Sequence, residues 1–355
     1  MRLLLLTRYG SLGASSRMRT FQYLPWFESA SWNYDVAPLF SDEKLARRYR
    51  LGAYGLSAAL GAYFDRINRM LNRHRYDLIW IEKEALPWLP VSVERWLLGG
   101  VPYVLDYDDA IFHNYDLHRI NLVREVFGRR LDKLMAGASL VVAGNRYLAK
   151  RAADAGAVRV EIIPTVIDLL RYRPRARSAV EVPRIVWIGS PSTVRYLQLV
   201  RDPLAALSKE VSFTLRVIGG ESFEIPGVKV ETLPWSAETE AAAIGECDIG
   251  IMPLEDSPWE KGKCAYKLIQ YMACGLPTVA SPVGANVDVV IDGETGYLAN
   301  DAATWVQQLK HLLLDPDLRM RMGACGRARV EQHYCIQQTA PRLIKLLSDV
   351  VQTSR

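Results

Sequence analysis

Short apolar runs recur along the first half of the chain, each followed by a stretch with helical spacing, at 2–7, 34–40, 77–82, 103–107, 140–143 and 159–163. A short apolar run bounded by turn residues reads as a strand buried on both faces, and alternation of such strands with helices gives a parallel, doubly wound sheet. A second series occupies 184–188, 214–218, 229–231, 248–252 and 278–280. The pattern predicts the α/β class, with two Rossmann-like doubly wound domains facing each other across a cleft. Between them, from Pro164 to Pro183, the chain turns basic and proline-marked. The predicted organisation is a first domain over 1–168, a linker over 169–183, a second domain over 184–335, and a C-terminal helix over 336–355 that crosses back to the first domain.

The segment 245–285 is the most specific. Its apolar run at 248–252 ends at Pro253, and Gly275-Leu276-Pro277 stops a helix and opens the next strand. That helix is expected from 263 to 274. It would carry Lys263, Lys267, Gln270 and Cys274 on one face and Leu268, Ile269, Met272 and Ala273 on the other. A helix N-terminus favours an anion, and two ammonium groups one turn apart strengthen that field, so a diphosphate is the expected guest. An ordinary solvated lysine face is the competing reading.

With 355 residues, half of them apolar, the chain can build two full cores. No apolar stretch approaches the roughly 20 residues that span a bilayer. The run at 2–7 reads as a buried strand rather than a signal peptide, being short and followed by no small-residue cleavage site. The cysteines Cys247, Cys264, Cys274, Cys325 and Cys335 lack paired spacing, which points to a reducing cytoplasm and away from structural zinc or a disulfide framework.

Charge is uneven. Up to Asp168 there are 23 Lys/Arg against 18 Asp/Glu, and beyond it 21 against 21, so the first half carries the whole net charge of +5. Lys44, Arg47, Arg48 and Arg50, followed by Leu51, Tyr54, Leu56 and Leu60, would suit an anionic membrane surface as well as a solvated helix face. The expected location is the cytoplasm, at the inner face of the membrane. Nucleic acid is not an expected partner, because no aromatic RNA-reading motif is interleaved with the basic residues.

Several positions can carry chemistry. After the first strand, the stretch 10–17 contains Gly13 and Arg17, with Ser15 or Ser16 as helix N-cap and Arg19 one turn further on. Asp106, Asp108 and Asp109 stand where a buried strand ends, with His113 four residues on; these are candidates for general acid–base chemistry, and in the family resemblance described below they would orient an acceptor hydroxyl or take up its proton. As Asp-x-Asp the cluster could also hold a divalent cation against a diphosphate, but the two-domain pattern and the lysine stripe describe a metal-independent site. After the strand at 184–188, Gly189, Ser190, Ser192 and Thr193 can approach a phosphate, with Arg195 the nearest cation. Asn145 reads as a helix N-cap, Asp168 as a hinge residue, and 292–297 as a glycine turn without chemistry.

The stretches GASSRMRTFQYLPWF, YVLDYDDAIF, VVAGNRYLAKRA, VEIIPTVID, IVWIGSPST, DIGIMPL and KLIQYMACGLPTVASPVG, in this order, resemble the GT-B glycosyltransferases of family 4 over nearly the whole chain. The resemblance implies a nucleotide-diphosphate sugar bound by the second domain, an acceptor against the first, and transfer with retention of configuration and no cofactor. It further implies donor contacts from Gly13, Arg17, the Gly189 loop, Lys263, Lys267 and Gln270. The acceptor implied is a saccharide or lipid-linked saccharide of cell-surface polysaccharide synthesis.

The chain departs from the family in two places. The family's two glutamates, seven residues apart, align with Gly262 and Gln270; Gln270 would hold ribose hydroxyls without charge, and Glu260 or Glu255 would have to replace the first glutamate. The arginine and lysine that many relatives place after the first strand of this domain are also missing. A nucleotide-sugar epimerase, a catalytically degenerate partner subunit and an NAD-dependent dehydrogenase are the competing readings.

Overall fold

The computed structural model describes residues 1–52, 54–174, 182–221 and 223–353. The chain forms two compact units. One comprises Met1–Thr165, Gly262–Cys264 and Thr339–Arg355; the other comprises Val166–Lys261 and Ala265–Gln338. Of the linker expected at 169–183, residues 175–181 lie outside the described residues.

The first unit is built on six parallel strands: β1 (Arg2–Tyr9), β2 (Asn33–Phe40), β3 (Leu78–Glu82), β4 (Tyr103–Tyr107), β5 (Leu140–Ala143) and β6 (Val160–Ile162). Their order across the sheet is β2-β1-β3-β4-β5-β6. The Leu3–Leu6 run is essentially inaccessible, as both faces of a parallel sheet require. The order of connection reverses between β1 and β3, and their carboxyl ends therefore form the crevice where ligands of open α/β sheets bind. Much of the Ile336–Thr353 helix belongs to this unit: the hydroxyls of Tyr23 and Thr339 lie 3.2 Å apart and Arg342 donates to Glu161 at 2.8 Å.

The second unit holds β7 (Arg184–Ile188), β8 (Thr214–Ile218), β9 (Lys229–Leu233), β10 (Ile249–Met252), β11 (Thr278–Ala280) and β12 (Gly296–Leu298), ordered β12-β11-β10-β7-β8-β9 and again parallel. Its switch point lies between β7 and β10. β12 was not expected. Gly296, Tyr297 and Leu298 follow a glycine turn but pair with Thr278, Val279 and Ala280 of β11, because the edge of that sheet offers unpaired backbone groups.

The helix after β10 starts later than the spacing suggests. It runs Tyr266–Ala273, and Ala265 before it is left-handed at φ 52°. Lys263 thus lies outside the helix, in a segment that belongs to the first unit, and the four-residue stripe is broken. Its end is as read: Gly275 adopts φ +73°, its N–H meets the Met272 carbonyl, and the Leu276 N–H meets that of Tyr271. Only glycine takes that backbone conformation without a Cβ penalty.

Candidate functional site

In the second unit, β7 delivers Trp187 and Ile188 to the switch point and the chain turns at Gly189, whose N–H is held by the Ile218 carbonyl at 2.9 Å. The following loop is organised by its own hydroxyls. Ser190 and Ser192 Oγ are 2.9 Å apart, and Thr193 Oγ1 accepts from the Ser190 N–H at 3.1 Å. Lys267, in the first turn of the Tyr266–Ala273 helix, sets its ammonium 4.8 Å from the centre of the Trp187 ring, and the Gly189 backbone lies against the same ring. A cation on an indole face beside a loop rich in N–H and O–H donors is an arrangement that can receive an anionic oxygen.

Gln270 occupies a different environment. Its side chain is buried and Nε2 donates to the Tyr172 hydroxyl at 2.7 Å; that hydroxyl donates to Glu240 at 2.7 Å, and Trp235 Nε1 donates to the other Glu240 oxygen at 2.7 Å. Burial pushes the Tyr172 phenol well above its ordinary value, so it keeps its proton. Glu260 is buried too and accepts from Tyr196 and Ser257, with Arg195 at 3.7 Å. Burial, with Glu260 beside it, pushes Tyr196 up to about 12.

In the first unit the carboxyl ends of β1, β3 and β4 gather a polar cluster. The helix after β1 runs Ala14–Arg19 with Gly13 at its N-cap, so neither Ser15 nor Ser16 caps it. Both hydroxyls turn to acids instead: Ser15 donates to Asp108, and Ser16 donates to Glu82 at 2.6 Å. Lys83, directly after β3, sits at φ 66°, a conformation that costs a non-glycine residue about 1 kcal/mol or more. Its ammonium lies 2.9 Å from Asp108, donates to Ser15 at 2.8 Å and reaches Asp109 at 3.9 Å.

Burial alone would lower the Lys83 pKa, but Asp108, Asp109 and Glu82 outweigh it and hold it above its ordinary value. Burial likewise opposes ionisation of Asp108, yet Lys83 and Ser15 hold its carboxyl below the usual range. Asp109, a third exposed, has Lys263 at 4.0 Å. Cys264 donates its thiol proton to the Asp108 carbonyl at 3.1 Å, and burial pushes that thiol up.

The remaining sequence candidates lie outside this cluster. Asp106 is buried in a bidentate pair with Arg19, whose Nη1 donates to the Ile163 carbonyl at 2.8 Å; Asp106 is thus committed to holding the Ala14–Arg19 helix on the sheet. His113 has both ring nitrogens occupied, by Asp116 and by the Tyr147 hydroxyl, each at 2.8 Å. Arg17 donates to the carbonyls of Ser11 and Leu12. Asn145 caps the Arg146–Asp154 helix as read, and its amide also donates to the Lys263 carbonyl at 2.9 Å. Asp168 accepts from Leu170 N–H and Gln337. Sequence reading passed over Lys83 and Glu82, although a Glu-Lys-Glu run at the end of a buried strand is itself a signal, since charge there must be paired or used.

Comparison with known proteins places this arrangement among sugar transferases. A family model described as glycosyl transferases group 1 matches residues 182–315. The D-inositol 3-phosphate glycosyltransferase of Pseudarthrobacter chlorophenolicus is 30% identical over 78% of this chain and 72% of that protein; its Arthrobacter counterpart is 25% identical over 79% and 72%. Among solved structures, sucrose-phosphate synthase from Thermosynechococcus elongatus has a TM-score of 0.73 at 17% identity, covering 99% of this chain and 100% of that one. HepE of Anabaena, solved with UDP-glucose, has a TM-score of 0.70 at 16% identity, covering 98% and 100%. These likenesses are to the GT-B fold of two parallel doubly wound units.

Proposed function

Because the chain belongs to the glycosyl transferases group 1, we propose that it moves a sugar, with retention of configuration, from a nucleotide-diphosphate sugar to a hydroxyl of a saccharide or lipid-linked saccharide. The process would be the synthesis of a cell-surface polysaccharide on the cytoplasmic side of an anionic membrane. The observation that carries the donor reading is Lys267 on the Trp187 ring beside the Gly189–Thr193 loop, at the carboxyl end of β7. A nucleotide-diphosphate-sugar donor is also in keeping with the UDP-glucose of HepE.

In this reading Lys267 and the loop of Gly189, Ser190, Ser192 and Thr193 stabilise negative charge as it develops on the departing diphosphate, usually the largest contribution to such catalysis. Asp109, the most exposed acid of the strand-end cluster, orients the acceptor hydroxyl, and Asp108 with Lys83 fixes the backbone that presents it. No enzyme nucleophile and no metal enters the scheme.

One observation favours a second reading. The positions that carry glutamates in the family have no carboxylate here, and Gln270 is engaged by Tyr172, which would suit a subunit that binds nucleotide without turnover. Titration by calorimetry with UDP-, GDP-, ADP- and TDP-sugars, with and without EDTA, followed by assay of nucleotide release, separates the two. Selective, EDTA-insensitive binding with release on adding acceptor supports the transferase. Binding without release under any acceptor supports the partner subunit, and absence of binding overturns the donor site.

A further inference from the structure

After β3 the chain stays buried from Lys83 through Pro87 and then puts out Trp88, which is 46% exposed. Trp88 also sits at φ 62°, in the left-handed region that a bulky side chain enters only under constraint. The constraint comes from residues outside the loop. Glu94 accepts from the Ala85 N–H at 2.7 Å, and Arg130 donates to the carbonyls of Leu86 and Leu89 at 2.6 and 2.7 Å. The Tyr63 hydroxyl donates to the Pro87 carbonyl at 2.8 Å, and the Tyr115 hydroxyl accepts from the Trp88 N–H at 3.2 Å. Arg130 is itself buried and paired with Glu84 and Glu94. Strain that is fixed from several directions in order to hold an indole in solvent marks a binding position rather than a packing one.

The neighbours of the indole indicate what it receives. Its ring lies 4.8 Å from that of buried Tyr115 and 6.3 Å from that of Phe127, and His118 meets it edge-on at 5.9 Å and 77°. His118 Nδ1 accepts from the Ile120 N–H at 3.1 Å, so in the neutral ring Nε2 carries the proton, and among the described residues nothing accepts it. Exposed Arg124 donates to the His118 carbonyl at 2.6 Å. A pyranose has a weakly positive C–H face that suits the negative face of an indole, and hydroxyls at its rim that suit such N–H donors. A lipid chain would use the indole and leave the donors unmet.

The platform stands at the same end of the sheet as Asp109. Glu84, which accepts from the Tyr115 hydroxyl at 2.8 Å, directly follows Lys83, whose ammonium reaches Asp109 at 3.9 Å. We propose that Trp88 stacks against a pyranose ring of the acceptor, with His118 donating to one of its hydroxyls. The proposal rests on the reading above that the acceptor is a saccharide, and deepens it: Asp109 addresses a hydroxyl, whereas Trp88 addresses a ring face, and together they set which sugar is accepted.

Saturation-transfer NMR on the full chain tests it, with methyl glycosides and disaccharides of glucose, galactose, mannose and N-acetylglucosamine as probes. Irradiating aromatic protons should saturate most strongly the C–H protons of one ring face. Trp88→Leu keeps apolar bulk on the same backbone and removes the aromatic face, so the Kd of the bound saccharide should rise roughly tenfold or more, whereas Trp88→Tyr should stay within about threefold of the parent. His118→Ala, which touches none of the bonds that hold the loop, should weaken the same saccharide by roughly threefold or more, and serves where Trp88→Leu does not fold. Parent-like affinity in Trp88→Leu, or in His118→Ala in that case, overturns the site. So does the absence of saturation transfer from the parent to every probe, or self-association of the parent that Trp88→Leu abolishes without saccharide binding. A chain that binds these saccharides through Trp88 but no nucleotide-sugar keeps this site and loses the transferase reading; one that binds nucleotide-sugar and no saccharide loses this site alone.

Discussion

Gly262 packs against Ala110 so closely that a Cβ at position 262 would stand 2.4 Å from the Ala110 Cβ and 2.6 Å from its backbone nitrogen. Position 262 is where the sequence resemblance would set the family's first glutamate, and this packing leaves such a side chain no room. Gly262→Glu should destabilise the protein by about 1–3 kcal/mol, through forced backbone displacement, without raising activity. Urea unfolding of the variant beside the parent gives the answer; unchanged stability would show that the segment moves aside freely.

Gln270 is where the sequence resemblance would set the second glutamate, and there the hydrogen-bond direction decides. Its amide donates to a Tyr172 hydroxyl whose own proton goes to Glu240. Gln270→Glu sets a carboxylate against an oxygen with no proton left to give, so about 1–3 kcal/mol of stability should be lost. Equal or higher stability in chemical denaturation would mean that Tyr172 turns its proton to the new carboxylate.

For the donor site, Lys267→Ala should lose about 1.5–3 kcal/mol of nucleotide-sugar binding for every charged hydrogen bond removed, a Kd roughly ten- to a hundredfold weaker. Calorimetric titration reads this directly. Unchanged affinity in the variant removes the site from β7 and its neighbouring helix.

The Lys83–Asp108 pair gives a pH signature. Lys83 is raised in the folded state, so its contribution is complete below its ordinary pKa of about 10.4 and fades as pH rises through the folded value. Asp108 is lowered, so its contribution is complete above about 3.9 and is lost as pH falls through the folded value. Lys83→Met leaves a buried carboxylate unpaired and should cost about 3–5 kcal/mol at neutral pH. That deficit should shrink in acid, and thermal melts of both proteins from neutral pH to below about 4 would reveal it. A deficit independent of pH would assign the loss to packing alone.

Eleven of the twelve described strands were legible as short runs bounded by turn residues, most plainly where both faces are buried and the run is largely apolar, as in β3, β5, β8 and β10. The helix stop at Gly275 and the cap at Asn145 were legible for a similar reason, since each satisfies backbone groups within a few residues. β12 was missed because its partner, β11, not its composition, makes it a strand.

The amino-acid sequence by itself determined the two parallel sheets, the family and the neighbourhoods of the candidate residues, because periodicity and local capping act over short spans of chain. Tertiary structure alone decided which neighbours each polar group received. Asp106 went to Arg19, Asp108 to Lys83 and Ser15, and His113 to Asp116 and Tyr147, though all three fall within a dozen residues. It also broke the lysine stripe by turning Ala265 left-handed. A buried charge takes the partner that the fold brings within about 3 Å, and that distance is set by elements far away in sequence.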